Sequence, residues 1–367
     1  MNVLVALCCP GSAEGLVSVI RLLVEEGHKV DVISVGSKGE GGGNGKFFGS
    51  FEVFDKFNIP CMDLLSLIDA GYIEDIPSVF IEQIIKDYHP EVILVGTSRD
   101  PSGAFKGIEE GLIIAGGISG IPVIQFVDSW EAWYPRKFSG CSATSYVVPD
   151  IITQKILGVR GGIPVDKIKI TGNPAWENFL LKKTVDRDKI RKRLGLSYDN
   201  RLFVYFSGVT PDDPTTLYWV LKNLTPSDRL IFCRHPRDSR DYDRIIQDYR
   251  KAIIFTDMDS DILLQCADIC LTHYGAMGVK AALSGITTIN FILYGDCDQL
   301  CHESGGFPLS VLKGSYQVGS ESEYRNILDN IAPPEIADLK MKLCLDGKAA
   351  QRIVKALKSA AFKGVTE

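Results

Sequence analysis

With 367 residues, 45% of them apolar and 23% charged, the chain has material for two soluble α/β domains of about 150 to 200 residues, and its formal charge of -6 argues against a nucleic-acid backbone as the main partner. No apolar run approaches the roughly 20 residues that span a bilayer, and the chain opens directly into Val3-Leu4-Val5 without a basic leader, so a cytoplasmic protein is expected. Ten cysteines are scattered through strand-like and helix-like segments and read as reduced; no C-x-x-C occurs, the spacing of Cys8-Cys9 and of Cys297, Cys301 and His302 does not suit zinc, and no metal site is expected.

The first half alternates short apolar runs with helical periodicity. Val3 to Leu7 is a strand, Pro10-Gly11-Ser12 a turn, Ala13 to Glu26 a helix with Leu16, Val19, Ile20, Leu23 and Val24 on one face, and Val30 to Val35 the next strand. Gly36 to Gly49 holds too many glycines for regular structure and reads either as a lid or as a plain surface connection. Helix Val79 to Tyr88, strand Val92 to Val95, helix Ile108 to Ala115, strand Val123 to Val127, and strands Tyr146 to Val148 and Ile168 to Ile170 follow. Strands without polar alternation imply a parallel sheet covered on both faces.

After Gly172-Asn173-Pro174 and the charged stretch Lys182 to Arg193, a second alternating set begins. It comprises strand Leu202 to Phe206, helix Thr216 to Leu224, and strands Arg229 to Cys233, Ile253 to Phe255, Ile269 to Thr272 and Thr287 to Phe291. A final helix from Gly347 to about Ala361 places Lys348, Arg352, Lys355 and Lys358 on a face expected to be solvated.

The most informative segment is Ala267 to Gly285. It reads as a buried strand, the polar glycine turn His273-Tyr274-Gly275-Ala276-Met277-Gly278, and a helix start. Exposed backbone N–H groups and the positive end of a helix dipole favour phosphate at such a turn.

These motifs together resemble the GT-B superfamily, which includes nucleotide-sugar glycosyltransferases, UDP-GlcNAc 2-epimerases and CDP-glycerol glycerophosphotransferases. The likeness rests on the Cys9-Pro10-Gly11-Ser12 turn, the approach Asp166 to Pro174, the Arg234-His235-Pro236-Arg237-Asp238 motif, the Ala267 to Gly285 unit and the closing run Asp346 to Val354. It implies an α/β fold of two Rossmann-like domains whose parallel sheets face an interdomain cleft: residues 1–178 for the acceptor, 179–345 for the nucleotide donor, and 346–367 as a closing helix. Where glycosyltransferases commonly place a glutamate for the ribose hydroxyls, this chain has Lys280, so either the donor is held differently or a phosphate or carboxylate meets the lysine. The strand end matching the catalytic aspartate of the epimerases is Gly96-Thr97-Ser98-Arg99-Asp100, with Asp100 displaced, and the loop after Phe206 lacks their His-Arg element.

Group transfer from a nucleotide needs stabilisation of the departing phosphate and a base. The expected phosphate contacts are Ser207, Gly208, Thr210, His235, Arg237, Thr272, His273, Gly275, Ala276, Met277, Gly278 and Lys280, with Gly11 and Ser12 in the first half. His235 is also a candidate catalytic group, and the base candidates are Asp128, first, then Glu14 and Asp100. Trp130 and Trp133 beside Asp128 suit either a sugar face or internal packing. The expected function is transfer of a glycosyl or polyol-phosphate group from a UDP- or CDP-linked donor to a hydroxyl acceptor, as in making cell-envelope polysaccharide, with no permanently bound cofactor. The alternatives are an epimerase or hydrolase of the same fold and a non-catalytic nucleotide-binding protein. Peripheral membrane contact and a homodimer are both compatible with this reading.

Overall fold

The computed structural model describes residues 1–34, 49–64, 78–97, 108–130, 142–182, 185–208, 210–235, 238–293, 301–302 and 304–363. They form two compact units: one runs to Asn178 and resumes at Leu343, and the other covers Phe179–Lys342.

The first unit is built on a parallel sheet of β1 (Asn2–Leu7), β2 (Lys29–Ser34), β3 (Met62–Asp63), β4 (Val92–Val95), β5 (Val123–Phe126), β6 (Ser145–Val148) and β7 (Ile168–Ile170), in the order β3-β2-β1-β4-β5-β6-β7. Val5 of β1 lies beside Val32 of β2 and Leu94 of β4. Successive residues of β1 alternate between two apolar layers. Val3, Val5 and Leu7 pack with the helix Pro10–Glu25 and with Ile353, Val354 and Leu357 of the last helix, whereas Leu4 and Ala6 pack with Ile81, Ile84, Leu112 and Ile113. The last helix, Ala349–Lys363, is therefore part of the first unit.

The second unit carries β8 (Arg201–Phe206), β9 (Asp228–Cys233), β10 (Ile269–Thr272), β11 (Thr287–Phe291) and β12 (Tyr316–Val318), parallel and ordered β12-β11-β10-β8-β9. In each unit the chain goes to one side of its first strand and then crosses to the other. The order reverses between β1 and β4 and again between β8 and β10, and in open α/β sheets ligands bind outside the carboxyl ends of the strands at such a point.

Three expectations change. Ile253 to Phe255 is not a strand: Ile253 makes a single bridge to Leu230, Ile254 N–H donates to the Leu230 carbonyl at 2.8 Å, and Phe255 is exposed with no apolar layer to join. The strands β3 and β12, only two and three residues long, carry too little pattern to read from sequence. The polar face of the last helix is not merely solvated. Arg352 donates to the carbonyls of Thr171, at 3.1 Å, and Cys344, at 3.3 Å, and Lys358 pairs with Glu26 at 2.5 Å. The Gly36 to Gly49 loop lies outside the described residues except for Gly49. Among those residues no helix is long and apolar enough to cross a membrane.

Gly172 explains how the tail is seated. Its φ is +79°, and a Cβ there would stand 2.6 Å from the Cys344 carbonyl oxygen. Gly27, at φ +80°, has nothing within 4 Å of such a Cβ. Replacing Gly27 with Ala therefore carries only the left-handed backbone penalty of about 1–2 kcal/mol. Gly172→Ala adds an overpacking penalty of about 1–3 kcal/mol to it. Urea unfolding of the two variants should show the larger loss of midpoint at Gly172, with unchanged dependence on denaturant.

Candidate functional site

In the first unit, the turn leaving β1 starts the helix Pro10–Glu25, with Pro10 at a position where its missing N–H costs nothing. Asp128 follows β5 by two residues. Its Oδ1 accepts from the Thr97 hydroxyl, at the end of β4, at 3.0 Å, and its Oδ2 lies where a Cβ on Gly11 would come within 2.9 Å. Only glycine lets the carboxylate sit against that first turn. Asn173 fixes the strand end from behind: its Nδ2 donates to the Asp128 carbonyl at 2.7 Å and its Oδ1 accepts from Ala175 N–H at 2.8 Å, capping the helix Pro174–Leu180. Burial raises the Asp128 carboxyl above its ordinary value and outweighs the Thr97 and Ser12 hydroxyls, which act the other way. Such a carboxyl can give and take a proton nearer to neutrality.

The neighbouring thiols are protonated. Burial, with the Asp128 charge second, pushes Cys9 up to about 12. Cys8 is raised by burial and by Glu109, whose Oε1 accepts from Cys8 N–H at 2.8 Å and whose Oε2 lies 3.3 Å from Cys8 Sγ. Glu109, a buried acid under the turn, is a residue that sequence reasoning missed; its position in the first turn of the helix Ile108–Ile118 was the available signal.

Other first-half candidates are placed differently from expectation. The helix begins at Pro10, three residues earlier than its apolar periodicity indicates, so Glu14 stands in the second turn and the first turn holds no acid. Trp130 is buried; its Nε1 donates to Asp150 Oδ2 at 2.7 Å and its ring packs 5.7 Å from that of Trp176, so it is internal packing and not a sugar platform. Asp100, Trp133 and Arg237 lie outside the described residues.

In the second unit, the β8–β10 reversal gathers the loop after β8 and the turn after β10 around one buried carboxylate. Asp213 Oδ1 accepts from the Tyr205 hydroxyl at 3.0 Å and Gly208 N–H at 3.0 Å and lies 3.0 Å from His273 Nε2, while Oδ2 accepts from Thr210 N–H at 2.9 Å and Arg240 Nη2 at 2.8 Å. Burial alone would raise this carboxyl, yet His273, Arg240 and the Gly208 N–H together hold it well below its ordinary value. Arg240 is held in turn by Asp238, with Nε to Oδ1 and Nη2 to Oδ2 both at 2.7 Å.

This network revises several expected phosphate contacts. The N–H groups of Gly208 and Thr210 are taken by Asp213. Both ring nitrogens of the buried His273 face protein, Nδ1 lying 3.1 Å from the Phe291 carbonyl and Nε2 against Tyr205 and Asp213. Lys280 meets a carboxylate from its own unit, Asp261 Oδ1 at 3.1 Å, with its ammonium 5.6 Å from the Phe179 ring; Lys182 pairs with the same aspartate. Ser207 Oγ accepts from His235 N–H at 2.9 Å, which leaves its proton to donate elsewhere. The start of the helix Ala276–Leu283 differs from all of these. Gly275 and Ala276 are exposed and no side chain caps the end, while the Gly278 N–H donates to the Gly275 carbonyl at 3.1 Å. Gly278 lets this helix lie against β10, since a Cβ there would be 3.0 Å from Thr272 Cγ2.

The fold is GT-B. A UDP-GlcNAc 2-epimerase from Neisseria meningitidis, solved with UDP-GlcNAc, superposes with a TM-score of 0.68 at 14% identity over 98% of this chain and 100% of that one. The UDP-GlcNAc 2-epimerase from Methanocaldococcus jannaschii gives 0.64 at 15% over 98% and 100%. A glycosyltransferase from Rickettsia africae gives 0.58 at 15% over 99% and 94%. No protein-family model matches the chain, and no curated protein does.

Removing the Asp213 carboxylate leaves Arg240, the Tyr205 hydroxyl and two loop N–H groups without their shared acceptor, so Asp213→Ala should destabilise the second unit by about 3 kcal/mol. The folded carboxyl titrates below the ordinary Asp value of about 3.9. Its contribution is therefore present above that value and is lost as pH falls through the lower, folded one. The wild-type advantage in urea midpoint should be the same at pH 7 and pH 5 and shrink only below about pH 4.

Proposed function

We propose that the chain acts on a nucleotide-activated sugar and rearranges or hydrolyses it without a second acceptor, as an epimerase or hydrolase does. The observation that carries the reading is the raised carboxyl of Asp128, held by Thr97 against Gly11 at the order reversal of the first sheet. Inverting a carbon beside the anomeric centre requires removal of its carbon-bound proton from one face and delivery of a proton to the opposite face, and a carboxyl shifted toward neutrality is suited to one of these two steps. The N–H groups at Gly275 to Met277, where Gly275 and Ala276 are exposed, are the proposed seat of a nucleotide phosphate, and the helix dipole assists there. Support for an acceptor-independent reaction also comes from the similar solved structures, of which several are UDP-GlcNAc 2-epimerases.

Transfer to a hydroxyl acceptor is the second reading. It is favoured by the likeness to the Rickettsia africae glycosyltransferase and uses the same Asp128 as base for the acceptor proton. UDP- and CDP-linked sugars are the proposed substrates under either reading.

Incubation with UDP-GlcNAc, UDP-glucose and CDP-linked sugars in deuterated water, with no acceptor, separates the two. Epimerisation should place deuterium on a sugar carbon, and hydrolysis should release nucleotide. A protein that binds nucleotide and does neither until a hydroxyl acceptor is added would establish transfer instead. Asp128→Asn should lower the rate about 10²- to 10⁴-fold. Because the wild-type carboxyl is raised, its ionisation weighs against the fold once pH exceeds the ordinary Asp value of about 3.9. The Asn variant should thus melt at the same temperature as wild type or higher at pH 7, which separates lost chemistry from lost structure.

A further inference from the structure

Asp213 ties together the two segments that leave the order reversal of the second sheet. On one side it receives the Gly208 and Thr210 N–H groups of the loop after β8. On the other it meets His273, the first residue after β10 and two residues before the exposed helix start at Gly275. His273 is held at three further points: its Nδ1 by the Phe291 carbonyl, its Nε2 by the Tyr205 hydroxyl, and its own carbonyl by the Asn290 side-chain amide. A carboxylate has about four acceptor sites, and groups from three parts of the chain, the Tyr205 to Thr210 segment, Arg240 and His273, converge on this one. The loop after β8 and the turn after β10 therefore have one arrangement relative to each other.

We propose that Asp213, acting through His273, is a positioning residue for nucleotide binding: it sets the Ser207 and Thr210 hydroxyls and the N–H groups at Gly275 to Met277 in one fixed geometry around a single phosphoryl group. The hydroxyls are suited to this because the loop amides are already taken. Ser207 Oγ uses its lone pair on His235 N–H and keeps its proton, and Thr210 Oγ1 is buried without a hydrogen-bond partner among the described residues. Asp213 itself is fully buried and touches no ligand in this role. The inference rests on the nucleotide reading of the preceding section.

Calorimetric titration of UDP and CDP into the full chain tests it, with Asp213→Asn and Tyr205→Phe as variants. Tyr205→Phe removes only the hydroxyl that bridges Asp213 and His273 and keeps the buried ring, so it stays informative if Asp213→Asn does not fold. Folded Asp213→Asn should bind about 10- to 100-fold more weakly, by analogy with the loss when a group that orients a metal ligand is removed. Tyr205→Phe should weaken binding by a smaller factor. With an active substrate, KM should rise by those factors while kcat holds, since neither group touches reacting atoms. Folded variants that bind within twofold of wild type would overturn the positioning role and leave the nucleotide reading standing. A wild-type chain that binds neither nucleotide would overturn both.

Discussion

Burying both faces of the central parallel strands is the constraint from which the rest follows. A strand such as β1 or β10, apolar except at one end and packed on both faces, has little room for a polar group except where it ends. The polar side chains of the two candidate clusters accordingly sit one to seven residues past a strand: Thr97 after β4, Asp128 after β5, Ser207, Thr210 and Asp213 after β8, His273 after β10. The order reversal in each sheet then decides which of these ends share a space, because neighbouring connections leave the sheet on opposite sides there.

Two aspartates show how far the same side chain can be driven in opposite directions by this arrangement. Asp128 and Asp213 both follow the end of a buried strand, and burial is the leading influence on each. Asp128 has the Thr97 hydroxyl as a partner and no ion pair among the described residues, and desolvation prevails, so the carboxyl is raised. Asp213 has a guanidinium, an imidazole, a phenol and two backbone N–H groups, and desolvation is overcome. The first is suited to moving a proton and the second is suited to holding still. Number and charge of partners, not burial, separate a candidate base from a framework residue.

Much of the fold was legible because its signal is local. Continuous apolar runs bounded by Gly, Pro and Ser located ten of the twelve strands among the described residues, and helical spacing from Leu16 to Val24 located the first helix. What failed was either very short, like Met62–Asp63, or non-local, like the seating of Arg352 on the Thr171 carbonyl 181 residues away. The candidate site was legible as positions and not as roles. Strand-end placement put Asp128, Ser207, Thr210, His273 and the Gly275 turn forward, but no spacing rule says that the Asp213 carboxylate takes the Thr210 amide or that His273 turns inward. Trp130 shows the same limit, since an aromatic beside an acid reads alike whether it faces a sugar or, as here, donates to Asp150 in the interior.

Lys280 is where local reading was most uncertain and where the structure is most specific. A lysine buried on the helix Ala276–Leu283 would be costly alone, and the chain supplies Asp261, itself close to the start of the helix Ser260–Cys266 and capped by Asp259. Burial works to raise the Asp261 carboxyl, but Lys280 and Lys182 together hold it below its ordinary value, so the carboxylate is ionised between two ammonium groups that flank the Phe179 ring. The pairing answers one question raised by the sequence: the anion that meets Lys280 belongs to the protein. It also means that the Lys280 ammonium is paired with a carboxylate of its own unit before any ligand arrives. A phosphate at Gly275 to Met277 would then be attracted mainly by backbone N–H groups and the helix dipole, whose reach is about one turn, and not by the lysine side chain. Lys280 is on this argument a strut between two helices, and its presence does not by itself mark a lost nucleotide site.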